Sequence, residues 1–220
     1  MRINRFIAMA TGLSRRAADA AVAAGRVGID GRPAVLGDIA ETGNVVTLDN
    51  KPVTLPDGFR LVMLNKPVGY VSSRTRQGSD PTLYQLLPRP MRALRIAGRL
   101  DRDSSGLILL TDDGDFIYRH THPSFNKLKV YDVTLSHDLS LQDRDRLSAG
   151  VILTDGPSRL QVVRANGPEV RVSLCEGRNR QVRRTFGALG YDTVGLHRTS
   201  IGPYELGDLP EGAWKQITPL

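Results

Sequence analysis

Short apolar segments separated by turn residues dominate the chain after residue 60. Leu61–Leu64 and Leu107–Leu110 are continuous apolar runs, which are typical of strands buried on both faces. In the segment 130–135, Tyr131, Val133 and Leu135 alternate with more polar positions, so that one face of the strand is the more apolar. Further strands are predicted at 160–163, 170–174, 194–196 and 214–217. Many strands with few helices between them predict a mixed, largely antiparallel α+β domain.

The first 48 residues form a separate pattern. Ser14 is a good N-cap for an alanine-rich helix over 15–24, and Gly25 suits the position just beyond a helix C-terminus. Strands are predicted at 27–29 and 45–48, with a tight turn at Asp30-Gly31. Because Asp49–Phe59 contains Pro52, Pro56 and Gly58, we expect a linker there. The predicted organisation is a small domain over 1–48, a linker over 49–59 and a second domain over 60–220.

Composition and charge suggest an acidic partner. The net charge is +7 and the isoelectric point about 9.9, which favours nucleic acid. Aromatic residues make up only 5%, so a platform stacking many bases is not expected, although one or two well-placed rings are compatible with this count.

The location of the protein is predicted from what the sequence lacks. No apolar stretch approaches the ~20 residues that span a bilayer, so no membrane partner is expected. Arg2 and Arg5 precede the apolar run Phe6–Leu13 as in a signal peptide, but Arg15 and Arg16 follow and no convincing cleavage site appears. With a single cysteine, Cys175, the sequence predicts a cytoplasmic protein.

The N-terminal segment is strongly basic. Residues 1–32 contain only two acidic residues, Asp19 and Asp30, and six arginines: Arg2, Arg5, Arg15, Arg16, Arg26 and Arg32. A solvated helix face is one interpretation. Arginines beside free backbone N–H groups at a helix N-terminus also suit phosphate. The pattern Gly12–Ala17, Gly25–Val27 and Asp30-Gly31 resembles the α-L RNA-binding motif, with Asp30 where that motif usually has asparagine. This resemblance implies RNA binding by Arg2, Arg5, Arg15, Arg16 and Arg26.

A glycine-flanked acidic segment, Gly98–Gly106, precedes the apolar run 107–110. Its carboxylates, Asp101 and Asp103, suit acid and base chemistry, although a single aspartate there is more often a turn residue or an arginine's partner. No metal is expected, because His120 and His122 lie beside Pro123 in a predicted loop rather than at ligand spacing. No Gly-Lys-Ser/Thr phosphate loop is present.

A second arginine cluster lies in the segment Glu176–Arg184. On a helix over 179–189, ended by Gly190, Arg180, Arg183 and Arg184 would share one face. Val182, Phe186 and Leu189 would lie on a different face and anchor that helix. The alternative to a functional arginine row is a solvated face.

Four motifs appear together in order: Asn65–Gly69, Gly98–Asp101 continuing to Gly106-Leu107 and Thr111–Gly114, Lys129–Tyr131, and Glu176–Arg184. Together they resemble the Rsu-like group of bacterial ribosomal RNA pseudouridine synthases over nearly the whole chain. The resemblance implies a catalytic domain of the pseudouridine synthase fold, which isomerises uridine to pseudouridine without a cofactor.

The same resemblance implies the roles of individual residues. Asp101 is the catalytic carboxylate, Tyr131 stacks on the flipped base, and Arg183 pairs with Asp101 and keeps it ionised. Further substrate-binding residues are expected at Leu196, Arg99, Lys66, Arg180 and Arg184. Attack at C6, attack at C1′ and removal of the C2′ proton all remain open for Asp101, and Tyr131 is a candidate to assist loss of the C5 proton. Asp103 resembles a supporting residue.

The substrate is predicted less directly. The run Arg102-Asp103-Ser104 resembles the large-subunit members of this group more than the small-subunit one. This resemblance implies large-subunit ribosomal RNA, either free or in an assembly intermediate, with small-subunit RNA as the alternative. We expect a monomer. Two other classes remain open: a non-catalytic RNA-binding assembly protein on the same fold, and a hydrolase using Asp101 and Asp103 as a carboxylate pair.

Overall fold

The computed structural model describes residues 1–56 and 58–219. The chain divides into two compact units. Unit 1 contains Met1–Arg60 with Asp112–Gly114, and unit 2 contains Leu61–Thr111 and the described residues from Asp115 onward.

Unit 1 packs two helices with a small antiparallel sheet. Its elements are α1 (Ile3–Thr11), α2 (Arg15–Ala23), β1 (Val27–Ile29), β2 (Arg32–Pro33), β3 (Val46–Leu48) and β4 (Lys51–Pro52). The strand order is β2-β1-β3-β4. Ile3 and Ile7 of α1, Ala18 and Val22 of α2, and Val46 of β3 share one apolar core.

Local sequence signals account for most of this unit. The Ser14 hydroxyl accepts a hydrogen bond from the Ala17 amide at 3.1 Å, which confirms the predicted N-cap of α2. Asp30 and Gly31 both have positive φ, and the pairing of Ile29 with Arg32 makes the predicted two-residue turn. The predicted linker contains β4, which pairs with β3.

Helix α1 was not predicted. Its residues were considered only as a candidate signal sequence. The residue before the helix, Arg2, makes no side-chain capping hydrogen bond, so the usual start signal is absent. The helix is amphipathic and is held by burying Ile3 and Ile7.

Unit 2 is built on a mixed sheet. Its strands are β5 (Leu61–Lys66), β6 (Arg95–Ala97), β7 (Ser105–Thr111), β8 (Lys129–Leu135), β11 (Gln161–Asn166), β12 (Glu169–Leu174), β13 (Thr193–Ile201), β14 (Tyr204–Glu205) and β15 (Trp214–Ile217). The strand order is β11-β12-β8-β13-β7-β5-β15, with β6 also paired to β7 and β14 to β13. The pairing of β13 with β7 is parallel and the other pairings are antiparallel. A separate hairpin pairs β9 (Val151–Leu153) with β10 (Gly156–Ser158).

The central strands are buried on both faces, as their continuous apolar runs predicted. In β7, Ile108 and Leu110 enter one apolar cluster, while Leu107 and Leu109 enter the cluster on the opposite face. The helices of unit 2 are α3 (Gly114–Thr121), α4 (Leu141–Ala149) and α5 (Gln181–Gly187), with 3-10 turns at Leu83–Leu86, Arg89–Ala93 and Pro123–Phe125. The predicted mixed α+β class is confirmed.

The arginine-rich helix is shorter than predicted. Arg180 has a left-handed backbone (φ 48°, ψ 31°) and precedes α5 as its N-cap rather than lying on it. Within the described residues, none of the helices combines the length and the hydrophobicity that crossing a membrane requires.

Candidate active site

Unit 2 contains a cleft of about 790 Å³. It is lined by the loop Gly98–Asp101, by Tyr131 of β8, by the segment Leu174–Val182, and by Leu196 and Arg198 of β13. Five of the eight predicted catalytic and substrate-binding residues therefore border one cavity: Asp101, Tyr131, Leu196, Arg99 and Arg180. A volume near the upper part of the ~300–1,000 Å³ range of small-molecule sites is ample for a nucleotide.

The loop that carries Asp101 is fixed from both sides. Leu100 is buried in the core, and its amide donates to the Ser72 hydroxyl at 3.2 Å while that hydroxyl donates to the Leu100 carbonyl at 2.6 Å. The Gly69 amide donates to the Arg102 carbonyl at 2.8 Å. These contacts fix the backbone on either side of Asp101, whose side chain borders the cleft.

Arg198 forms the base of this loop. It is almost fully buried, and its guanidinium donates to the carbonyl oxygens of Leu107 at 2.9 Å, Arg99 at 3.2 Å and Gly98 at 3.3 Å. This side chain therefore ties the loop of Asp101 to β7 and β13. The sequence pattern does not indicate this role, because the carbonyl partners of Arg198 lie 91 to 100 residues away in the chain.

Tyr131 and Leu196 lie on neighbouring strands. In the pairing of β8 with β13, Tyr131 is opposite Arg198 and Leu196 is opposite Val133. Both Tyr131 and Leu196 are 8% exposed, so each joins the apolar core while bordering the cleft. An aromatic ring and an aliphatic side chain on this wall suit the two apolar faces of a pyrimidine base.

Two arginines converge on Asp103. Arg180 donates to both Asp103 carboxylate oxygens, at 2.9 and 2.8 Å, and Nε of Arg183 lies 3.4 Å from the same carboxylate. The hydrogen bonds from Arg180 lower the pKa of the Asp103 carboxyl below its usual range. Arg180 also lies 3.8 Å from the Asp101 carboxylate.

The ion pair of Arg183 differs from the one that the resemblance implies. In this structure Arg183 pairs with Asp103 rather than with Asp101. Its side chain is 12% exposed, and its guanidinium donates to the carbonyl oxygens of Asp103 and Thr193, both at 2.7 Å, which fixes it beside Asp103. The cation nearest to Asp101 among the ion pairs is instead Arg180.

The three arginines predicted to share one helix face, Arg180, Arg183 and Arg184, do not all bind the same carboxylate. Arg184 donates to both carboxylate oxygens of Asp155, at 3.0 and 2.7 Å, and to the Asn179 carbonyl. Arg180 and Arg183 point toward Asp103 instead. The cause is the left-handed backbone of Arg180, which breaks the helical spacing on which the shared face depended.

Lys66 lies inside the protein rather than at the cleft surface. Its side chain is completely buried, and its ammonium donates to the Pro67 carbonyl at 2.8 Å. Burial lowers its pKa to about 8, although Asp103 and Asp101 act in the opposite direction. The burial of Lys66 does not match the predicted contact with substrate.

The predicted RNA-binding arginines of unit 1 are placed differently from one another. Arg2, Arg15 and Arg16 are exposed, and Arg5 is half-buried. Arg26 is exposed but held by Asp49 through two hydrogen bonds of 2.7 and 2.6 Å. Asp49 lies beyond the basic segment 1–32, and so does Asp38, which pairs with Arg32. The excess of positive charge within residues 1–32 therefore does not include these two carboxylates.

The two histidines that were excluded as a metal pair have separate structural roles. His120 is buried and stacks on Phe116 with ring centroids 3.8 Å apart. His122 is exposed and accepts a hydrogen bond from the Ser124 amide at 3.3 Å, at the start of a 3-10 turn.

Comparison with known proteins gives consistent matches over the whole chain. The sequence profile of the RNA pseudouridylate synthase family matches residues 60–188. A Yersinia pestis protein named ribosomal small subunit pseudouridine synthase A is 38% identical, covering 99% of this chain and 95% of the relative. The protein of the same name from Escherichia coli K12 is 37% identical, covering 99% and 96%. A crystal structure of a pseudouridylate synthase superposes with a TM-score of 0.71 at 34% identity, covering 99% of this chain and 96% of the other.

Proposed function

Because this chain belongs to the RNA pseudouridylate synthase family, we propose that it isomerises a uridine to pseudouridine in the RNA of the small ribosomal subunit, with Asp101 as the catalytic carboxylate. The observation that carries the proposal is the cleft itself, where Asp101 is held on a fixed loop opposite Tyr131 and Leu196.

The reaction requires no external reactant. The N1–C1′ bond of uridine breaks, the uracil turns, and a C5–C1′ bond forms, while C5 loses a proton and N1 gains one. The base has to leave its stack to reach Asp101, and the wall formed by Tyr131 and Leu196 receives it. Asp101 serves either as the nucleophile, at C6 or C1′, or as the base at C2′, and each route needs its ionised carboxylate.

The choice of the small subunit corrects the expectation of large-subunit RNA. The relatives that cover 99% of the chain are named for the small subunit, which favours the alternative. Two residues of the run Arg102-Asp103-Ser104, which suggested the large subunit, have ion-pair partners within unit 2. Asp103 binds Arg180 and Arg183, and Arg102 binds Asp80.

The ion pairs of Asp103 weigh against its use as the general acid of a hydrolase. A glycoside hydrolase with two carboxyl groups needs one of them protonated as a general acid. Asp103 is unsuited to that role, because the hydrogen bonds from Arg180 lower its pKa and keep it ionised. The non-catalytic alternative predicts no product at all.

Nucleoside analysis separates these functions. Small-subunit and large-subunit RNA from cells without the protein are incubated with the purified enzyme, digested, and mapped for pseudouridine. We expect one new pseudouridine in small-subunit RNA. Free uracil would indicate a hydrolase, modification of large-subunit RNA would reassign the substrate, and no change in either RNA would leave a binding protein.

Unit 1 is proposed as the RNA-binding module. Arg15 and Arg16 are exposed in the first turn of α2, where the helix dipole and free backbone N–H groups also attract phosphate. With Arg2 and Arg5 they supply a basic surface for the RNA around the target. Arg26 contributes less in this proposal, because Asp49 neutralises it.

A further inference from the structure

We infer that Tyr118, His122 and Phe125 form a stacking site for an unpaired base next to the target uridine, and that Lys127 binds the phosphate that links the two nucleotides. These three rings are called the aromatic trio below. The inference rests on the proposed function, since the partner is the RNA substrate itself.

The aromatic trio lies at the end of α3 and on the 3-10 turn that follows. The ring centroids of Tyr118 and His122 are 4.8 Å apart, and those of Tyr118 and Phe125 are 5.5 Å apart in an edge-to-face arrangement. Tyr118 is nevertheless 53% exposed and Phe125 41% exposed. Mutual packing therefore orders the rings without covering them.

The same helix carries a second pair of rings, and this pair is buried and has a structural role. Phe116 and His120, also four residues apart, are buried and stack on each other. Both pack against Tyr204, with centroid distances of 5.7 and 5.6 Å. These two rings anchor α3 to the core. The outer rings, Tyr118 and Phe125, add little to this anchoring, because they face solvent.

The aromatic trio reaches the cleft of Asp101 through His122. His122 and Lys127 border that cleft together with Asp101 and Tyr131. A nucleotide whose base lies against Tyr131 therefore has its neighbour beside the trio, and the connecting phosphate passes Lys127. Exposed rings next to a cation are the combination that binds single-stranded RNA, because every base has a stacking face and every linkage is anionic.

Lys127 and its neighbour Lys129 have different roles. Both side chains are half-buried, but the ammonium of Lys129 donates to the carbonyl oxygens of Lys127 and Cys175 at 2.9 and 3.2 Å. Burial lowers the pKa of Lys129. Lys129 therefore holds the turn, which leaves Lys127 as the residue assigned to phosphate.

The test measures binding separately from turnover. The probe is a fluorescent fragment of small-subunit RNA that contains the uridine mapped above, and its Kd is measured by anisotropy with the Asp101→Asn enzyme. Replacing both Tyr118 and Phe125 by leucine should raise Kd about tenfold, as expected for the loss of one stacked base. Tyr118→Phe, which keeps the ring, should bind within about twofold of the parent. Leu141→Ala, at an exposed apolar residue of α4, controls for the loss of surface area.

The phosphate contact has its own signature. Lys127→Ala should reduce the slope of log Kd against log salt by about 0.7, the value for one contact to a single strand. The leucine double variant should leave this slope unchanged. Lys215→Ala, an exposed lysine on β15 outside the cleft lining, controls for the change in net charge.

Trimming the RNA identifies the bound nucleotide. Removing the nucleotides on one side of the target uridine should raise the Kd of the parent, in which Tyr118 and Phe125 are unchanged, about tenfold. The same truncation should change the Kd of the leucine double variant little, because that variant has already lost the rings on which the base stacks. The proposal is overturned if the double variant binds within twofold of the parent while its unfolding transition is unchanged. It is also overturned if the variant is impaired only on ribonucleoprotein particles and not on naked RNA, since the partner would then be a protein. Failure of the proposed function appears differently, as an absence of pseudouridine with the unmodified enzyme.

Discussion

Gly106 of β7 lies directly beside Arg198 of β13, at the parallel pairing of these strands. Gly106 has φ of +106°, and a Cβ at this position would lie 2.3 Å from the backbone carbonyl oxygen of Arg198. The absence of a side chain here lets β13 approach β7, and that approach brings the Arg198 guanidinium to the loop of Asp101. The glycine that ends the acidic motif therefore allows Arg198 to hold the loop of Asp101.

Gly106→Ala is expected to destabilise the protein by about 2–5 kcal/mol, combining backbone strain with overpacking against a backbone atom that cannot turn aside. Urea unfolding followed by fluorescence measures the change. Gly187→Ala is the matched control, because Gly187 ends α5 in open space and without positive φ, so that alanine there should be neutral or stabilising. Equal stability of the two variants would contradict the close approach.

Asp101→Asn is expected to lower kcat by about 10³-fold or more, equivalent to ~4 kcal/mol of barrier, while RNA affinity is retained. The amide is nearly isosteric with the carboxylate but is neither a nucleophile nor a base. Single-turnover formation of pseudouridine and anisotropy binding measure the two properties. Turnover above about one percent of the parent would remove Asp101 from the catalytic role.

Tyr131→Phe is expected to retain far more activity than Tyr131→Ala. The phenyl ring preserves stacking, which is worth ~1–3 kcal/mol per base, so the alanine variant should lose roughly 10- to 100-fold in kcat/KM. Both variants are compared on the same RNA at subsaturating concentration. If phenylalanine is as damaging as alanine, the hydroxyl takes part in the chemistry and stacking is secondary.

The sequence predicted those parts of the molecule that local patterns determine. Ser14 caps α2 through its own hydroxyl, and the apolar run of β7 is divided between two cores. The cleft bordered by Asp101, Tyr131 and Leu196 followed from the family resemblance rather than from spacing.

The partners of the arginines could not be predicted in the same way. The left-handed backbone of Arg180 turns its side chain to Asp103, which is 77 residues away in sequence. Arg198 reaches the loop carbonyls across 99 and 100 residues. Such contacts depend on the order of the strands in the sheet, which local patterns in a single sequence do not reveal. Helix α1 was missed for a different reason, because it has no capping side chain to mark its start.

Lys66 gives the stability a defined pH dependence. Its pKa is about 8 in the folded protein, against 10.5 as the ordinary value, because burial disfavours the charged form. Between these two values the unfolded chain binds the extra proton, so Lys66 makes stability rise with pH from about 8 to about 10.5, by at most ~1.4 kcal/mol per pH unit. Below about pH 8 the lysine is charged in both states and its unfavourable contribution is constant.

Lys66→Met should flatten that part of the stability curve, because methionine has a similar length and does not titrate. Urea unfolding at intervals between pH 7 and 10.5 measures the difference between the parent and the variant. Lys215→Met, at an exposed lysine, should leave the curve unchanged. A parent and a Lys66 variant with parallel curves would mean that Lys66 titrates normally in the folded protein.

The division of labour between binding and chemistry is tested by Arg15→Ala combined with Arg16→Ala. Both side chains are exposed at the start of α2, and the residues assigned to chemistry all lie beyond residue 60. Contacts to phosphate give affinity and register rather than bond-making, so KM should rise while kcat at saturating RNA stays within about twofold. Each lost phosphate contact should also reduce the log–log salt slope by about 0.7–0.9.

Lys51→Ala, an exposed cation on β4, controls for net charge. A solvated helix face predicts no change in KM or in slope, whereas a loss of kcat with the fold intact would show that unit 1 takes part in building the active site.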